Sequence, residues 1–134
     1  MAGRKILVVD DEIHIVHVVT IKLRNSGFEV MTAESGQEAY ELACREHPDV
    51  IITDHHMPSM TGLELLEKLR SYGPTQSIPA VVLTTQAHDL SKDECLRLGI
   101  HQCLSKPFSP RELLREIENI LYGAPVVLSQ TLTP

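Results

Sequence analysis

Residues 49–66 read DVIITDHHMPSMTGLELL, and the order of side chains in this stretch decides the fold. Val50 to Thr53 is a short apolar run rich in β-branched side chains, which suits a strand buried on both faces. It runs straight into Asp54. The loop His55 to Met60 follows. Thr61 and Glu64 then form a capping box, and Leu65, Leu66 and Leu69 continue as the apolar stripe of a helix. Strand, polar strand end, loop and amphipathic helix make one β–α unit.

The same unit recurs to either side. Lys5 to Val9 is an apolar strand that stops at Asp10-Asp11, and Ile13 to Asn25 carries Val16, Val19 and Leu23 at helical spacing before Gly27. Phe28 to Ala33 reads as a second strand. Ser35 and Glu38 cap the helix behind it, and His47-Pro48 ends that helix. Past Gly73-Pro74, which closes the third helix, Ala80 to Leu83 is a fourth strand ending at Thr84. Asp89 to Leu98 reads as a weaker helix closed by Gly99, and His101 to Leu104 as the fifth and poorest strand. Ser109, Pro110 and Glu112 open a last helix with Leu113, Leu114, Ile117 and Leu121 on its inner face. Five alternations of strand and helix predict an α/β domain: a five-stranded parallel sheet, doubly wound, in the order 2-1-3-4-5. Residues 1–122 form the domain, and 123–134 are expected to be a tail or the start of a linker.

Composition agrees with this reading. The chain has 134 residues, 43 % of them apolar and 22 % charged, and a net charge of −6. One domain with an ordinary core is expected. No apolar run approaches the ~20 residues of a membrane helix, and Met1 to Lys5 precede too few apolar residues for a signal peptide, so a cytoplasmic chain is expected. An acidic chain without a basic stripe argues against nucleic-acid binding by this domain. Cys44, Cys95 and Cys103 are odd in number and widely spaced, which speaks against a disulfide framework or a CxxC metal site.

Each strong strand ends in a polar residue: Asp10-Asp11, Asp54 and Thr84, with Lys106-Pro107 after the fifth strand. In an open parallel sheet these ends share one edge, and ligands bind where the strand order reverses, here between strands one and three. Asp10, Asp11 and Asp54 would meet there. At an effective dielectric near 20, one like-charge pair 4 Å apart costs about 4 kcal/mol, so the cluster needs protons or cations. Oxygen ligands suit Mg²⁺, Mn²⁺ or Ca²⁺ rather than zinc, and so few carboxylates favour Mg²⁺. With the Lys106 ammonium and the Thr84 hydroxyl added, the set suits phosphoryl transfer to a carboxylate. Taken singly, each residue has a plainer role: a helix cap for Asp10 or Asp11, a strand-end hydroxyl for Thr84, a solvated charge for Lys106.

The chain resembles the receiver domains of two-component response regulators, the CheY-like family. The resemblance rests on ILVVDDE at 6–12, DVIITDHHMPSMTGLELL at 49–66, IPAVVLTT at 78–85 and LSKPFSPREL at 104–113. It implies a phosphorylation-dependent switch rather than an enzyme, with only self-phosphotransfer and autodephosphorylation. Asp54 would accept a phosphoryl group from a phosphohistidine on a sensor kinase or phosphotransfer protein. Asp11, Asp54 and the backbone carbonyl of His56 would hold Mg²⁺ or Mn²⁺, with Asp10 acting through a water. Lys106 and Thr84 would bind the phosphoryl group, and Pro107 would follow Lys106 across a cis bond. His56 and Gln86 would flank the site and tune the lifetime of the phosphoaspartate. An output partner, an output domain beyond this chain, or a phosphorylation-dependent dimer would receive the signal.

Three positions depart from the family pattern. Receivers usually carry Tyr or Phe three residues before the lysine; here Cys103 takes that switch position, as a buried thiol or a redox-sensitive group. Thr85 replaces the usual small residue after Thr84 and is expected to narrow access. His55 and His56 are adjacent, but no third soft ligand is near for a transition metal. His14 and His17 are expected on the kinase-facing side of the first helix. Among other classes, a Mg²⁺-dependent phosphohydrolase would need a carboxylate where His56 stands, and a dinucleotide site lacks its Gly-rich loop. A non-phosphorylated pseudo-receiver that only mediates contacts is the remaining alternative.

Overall fold

The computed structural model describes residues 3–85 and 90–123. Five parallel strands, β1 (Lys5–Val9), β2 (Glu29–Ala33), β3 (Val50–Asp54), β4 (Ala80–Thr84) and β5 (Ile100–Ser105), form one sheet in the order β2-β1-β3-β4-β5. The helices are α1 (Ile13–Asn25), α2 (Gly36–Glu46), α3 (Gly62–Arg70), α4 (Lys92–Leu98) and α5 (Pro110–Tyr122). The expected order and strand direction are both found. All five residues of β3 and of β4 are buried, as strands covered on both faces must be.

Alternation along the strands splits the core in two. Leu7, Val9, Ile51 and Val82 face α2, α3 and α4 and pack with Ala39, Ala43, Leu66 and Leu98. Ile6, Val8, Ile52 and Leu83 face the other way and pack with Val19 and Leu23 of α1 and Leu113 and Ile117 of α5. The expected inner stripes of α2, α3 and α5 are found, but on α1 Val16 lies outside both clusters and Ile15 packs inward with Val19 and Leu23.

Helix ends follow local chemistry, and here the structure corrects several boundaries. Thr61 and Ser109 each close a capping box, with Glu64 and Glu112, and Ser35 accepts from the Glu38 N–H. The fourth helix begins at Lys92 rather than Asp89, because Ser91 and Glu94 form a capping box that the apolar pattern does not reveal. The third helix ends at Arg70, and Gly73–Thr75 forms a 3₁₀ turn of its own. The Arg70 guanidinium holds that region together by donating to the carbonyls of Leu98, Thr75 and Ile78. The tail from residue 124 onward lies outside the described residues.

The turn after β3 brings the chain close upon itself. Gly62 donates its N–H to the His55 carbonyl at 2.9 Å, and a Cβ at Gly62 would collide with the Asp54 carbonyl oxygen. Backbone is the obstacle, so no side chain can rotate out of the way. A Gly62→Ala substitution is expected to destabilise the domain by about 1–3 kcal/mol, the usual cost of overpacking. Urea unfolding of the two proteins measures it.

Candidate functional site

The carboxyl ends of β1, β3 and β4 open into a cleft of ≈ 290 Å³ lined by Asp11, Glu12, Asp54, His56, Thr85 and Lys106. Beneath it lie two carboxylates in buried positions, Asp10 with no exposed surface and Asp54 with 4 %. β1 delivers Asp10 and β3 delivers Asp54. The two strands are neighbours, with Val9 paired to Thr53, so the acids one residue further on come side by side.

Lys106 reaches in from the end of β5. Its N–H donates to the Thr84 carbonyl at 2.9 Å, and its bond to Pro107 is cis. The ammonium contacts three carboxylates: Glu12 Oε1 at 2.8 Å, Asp54 Oδ1 at 3.1 Å and Asp10 Oδ2 at 3.3 Å. Burial opposes its charge. The hydrogen bonds it donates to Glu12 and Asp54 and the charges of Asp10 and Asp54 outweigh that, and the amine holds its proton above the ordinary lysine range.

Asp10 has two duties. Its Oδ1 accepts from the Glu12 N–H at 2.9 Å, which starts α1, and its Oδ2 faces Lys106. Neither Asp10 nor Asp11 is the helix cap their position after a strand suggests, since the N-cap of α1 is Glu12 and Asp10 accepts only the N–H of that residue. Burial raises Asp10 to about 6, with the Asp54 charge adding and the Glu12 N–H and Lys106 opposing.

Glu12 is the residue that the sequence reading passed over. It stands at the N-cap of α1, yet its side chain makes no capping bond and turns to Lys106 instead. Carboxylate oxygens of Asp10, Glu12 and Asp54 lie within 4.8 Å of one another. Asp11 is exposed and lines the same cleft. The one legible signal for Glu12 was the unbroken acidic run from Asp10 to Glu12. This donor set is all oxygen, anionic and open to water on one side, which fits a hard divalent cation such as Mg²⁺.

Thr84 is buried at the end of β4, its Oγ1 3.5 Å from His55 Nδ1. His56 is exposed at the cleft, and its ring lies 4.2 Å from that of His55. Thr85 is exposed on the cleft wall. Gln86 lies outside the described residues. Cys103 is half-buried on β5, opposite Val82.

Asp10 carries a folded-state pKa above its unfolded value. Its contribution to stability is thus intact below about pH 4 and is lost as pH rises through about 6. Asp10→Asn keeps the acceptor for the Glu12 N–H and removes the buried charge. In chelator-treated buffer at pH 7 this variant is expected to be more stable than the parent by up to about 3 kcal/mol. The gap should close as pH falls from 6 towards 4, which thermal melts across that range will read.

Comparison with known proteins agrees with this geometry. The family model described as the response regulator receiver domain matches residues 6–118. The chain is 35 % identical over 121 residues to the phosphate regulon transcriptional regulatory protein PhoB of Pseudomonas aeruginosa, covering 90 % of this chain and 53 % of that one. It is 39 % identical over 119 residues to the alkaline phosphatase synthesis transcriptional regulatory protein PhoP of Bacillus subtilis, covering 89 % and 49 %. The chain spans about half the length of these curated relatives. The chemotaxis response regulator CheY4 of Vibrio cholerae superposes with a TM-score of 0.82 at 38 % identity, over 90 % of this chain and all of that one. The receiver domain of the sensor histidine kinase PA1611 of Pseudomonas aeruginosa, solved with magnesium coordinated in its active-site cleft, gives 0.78 at 30 % identity, over 88 % and 97 %. Among the described residues no helix is long and apolar enough to cross a membrane. With its fold, its acidic cleft and its matched profile in agreement, the chain belongs to the response regulator receiver domains, the phosphorylation-dependent switches of two-component signalling.

Proposed function

We propose that Asp54 is the phosphoryl acceptor of this switch, with a sensor kinase or phosphotransfer phosphohistidine as donor in the cytoplasm. The observation that carries the reading is the Lys106 ammonium, 3.1 Å from Asp54 Oδ1 at the floor of an open cleft. With Oδ1 engaged by Lys106, Oδ2 is the oxygen that takes the phosphoryl group, and the imidazole of the donor leaves. Asp10, Asp11, Asp54 and the His56 carbonyl are the groups that would hold Mg²⁺ or Mn²⁺, and Glu12 joins them by its place in the cluster. The ion, when bound, neutralises charge on the phosphoryl oxygens. Lys106 supplies a second positive charge, and the Thr84 hydroxyl donates to a phosphoryl oxygen. His56 and Gln86 tune how long the phosphoaspartate lasts.

The donor protein docks beside the cleft. His14, Ile15 and Val18 of α1 form a groove of ≈ 240 Å³ with Lys106, Pro107, Phe108 and Pro110. This groove adjoins the acceptor and offers apolar surface to a helical donor. Residues 1–122 are the receiver, and 123–134 lead towards an output partner or output domain, or serve a phosphorylation-dependent dimer.

Intact mass after incubation with Mg²⁺ and acetyl phosphate tests the acceptor. One phosphoryl group is expected on the parent, and none on Asp54→Asn or in EDTA. An unchanged mass, in a chain that also fails to bind beryllofluoride, leaves the contact-only pseudo-receiver. Thr85 stands on the cleft wall, so Thr85→Ala is expected to label several-fold faster in the same assay. Equal rates would remove Thr85 as a gate.

A further inference from the structure

His55 follows Asp54 directly, yet His56 and Thr85 line the cleft and His55 does not. Its backbone is fixed from both sides. The N–H donates to the Leu83 carbonyl at 2.9 Å, which carries the β3–β4 ladder one residue past Asp54, and the carbonyl accepts from the Gly62 N–H at 2.9 Å. Thr84 is fixed on the next strand, where its carbonyl holds the Lys106 N–H at 2.9 Å. Asp54 pairs with Leu83, so His55 comes beside Thr84 at the following step of the register. Their side chains meet there, with Thr84 Oγ1 3.5 Å from His55 Nδ1. Thr84 has no exposed surface, and His55 is half-buried. The sheet register, not the loop beyond it, sets this contact.

We infer that His55 is a positioning residue for the Thr84 hydroxyl: in the unphosphorylated chain its Nδ1 accepts a hydrogen bond from that hydroxyl and holds it back from the acceptor. A neutral imidazole with its proton on Nε2 offers Nδ1 as an acceptor, and a threonine hydroxyl has one proton to donate. A phosphoryl oxygen on Asp54 and His55 Nδ1 therefore compete for the same proton. Thr84 must leave the imidazole to serve the phosphoryl group. One contact broken and another made give the hydroxyl two positions, and His55 weights the resting one. The weight is that of one net hydrogen bond, about two- to tenfold in the equilibrium. The inference rests on the reading of Asp54 as the acceptor. It assigns His55 no contact with the phosphoryl group itself.

Titration of beryllofluoride, a stand-in for the phosphoryl group, into the full chain at saturating Mg²⁺ tests it. His55→Ala is expected to bind about fivefold more tightly than the parent. His55→Asn can place an amide oxygen where Nδ1 stands, and should bind within about twofold of the parent. Thr84→Val alone should bind more weakly, and adding His55→Ala to it should change the affinity by less than about twofold. Nitrogen NMR of the free parent at mildly alkaline pH should show Nδ1 of His55 without a proton. Equal or weaker binding by His55→Ala would overturn the inference. So would the same gain in the Thr84→Val background, which would make the effect merely structural, or a protonated Nδ1 in the free parent. If neither the parent nor any variant binds beryllofluoride, the acceptor reading fails and this inference falls with it. Binding by the parent keeps the two failures apart.

Discussion

The structure is organised around a single ammonium group. The parallel sheet delivers Asp10 and Asp54 to adjacent strand ends, where both are buried. Two carboxylates so placed repel each other and resist desolvation, and the raised Asp10 is the direct sign of that stress. Lys106 answers it from β5, and its charge is divided among Asp10, Asp54 and Glu12. Removing the cation would leave buried Asp10 and Asp54 uncompensated, and loss of that partner from a buried pair typically costs about 3–5 kcal/mol. The need for positive charge is thus built into the fold, and one cation does not satisfy three anions.

That imbalance sets the electrostatics of the cleft. Four groups, three anionic and one cationic, leave a net negative charge at the water-facing edge of the sheet. A divalent cation held by these carboxylates would relieve it. Thr84 stands at the end of β4, one strand from Asp54, and its backbone carbonyl already holds the Lys106 N–H. The cleft is therefore joined by backbone to the β4–β5 edge of the sheet.

The far side of that edge is where this chain differs from its family. Cys103 gives β5 a small side chain where receivers usually carry a ring, and it packs half-buried against the core cluster on the α2, α3 and α4 side. A thiol has little leverage as a rotating group.

Local sequence by itself determined the strands, the helices and the identity of the strand-end residues. Runs such as Val50 to Thr53 cannot be solvated, and boxes such as Thr61 with Glu64 close a helix wherever they occur. Asp10, Asp54, Thr84 and Lys106 were legible because a parallel sheet brings all its strand ends to one edge. Glu12 was not legible, since it lies at the start of a helix whose direction follows from packing. Glu12 reaches Lys106 only because Asp10 occupies the Glu12 N–H and α1 then turns away. The start of α4 at Lys92 follows likewise from the Ser91 and Glu94 capping box, and its end from Gly99 in the left-handed region. Spacing along the chain specifies elements, whereas contact between side chains on different elements is decided by tertiary packing, which no local pattern encodes.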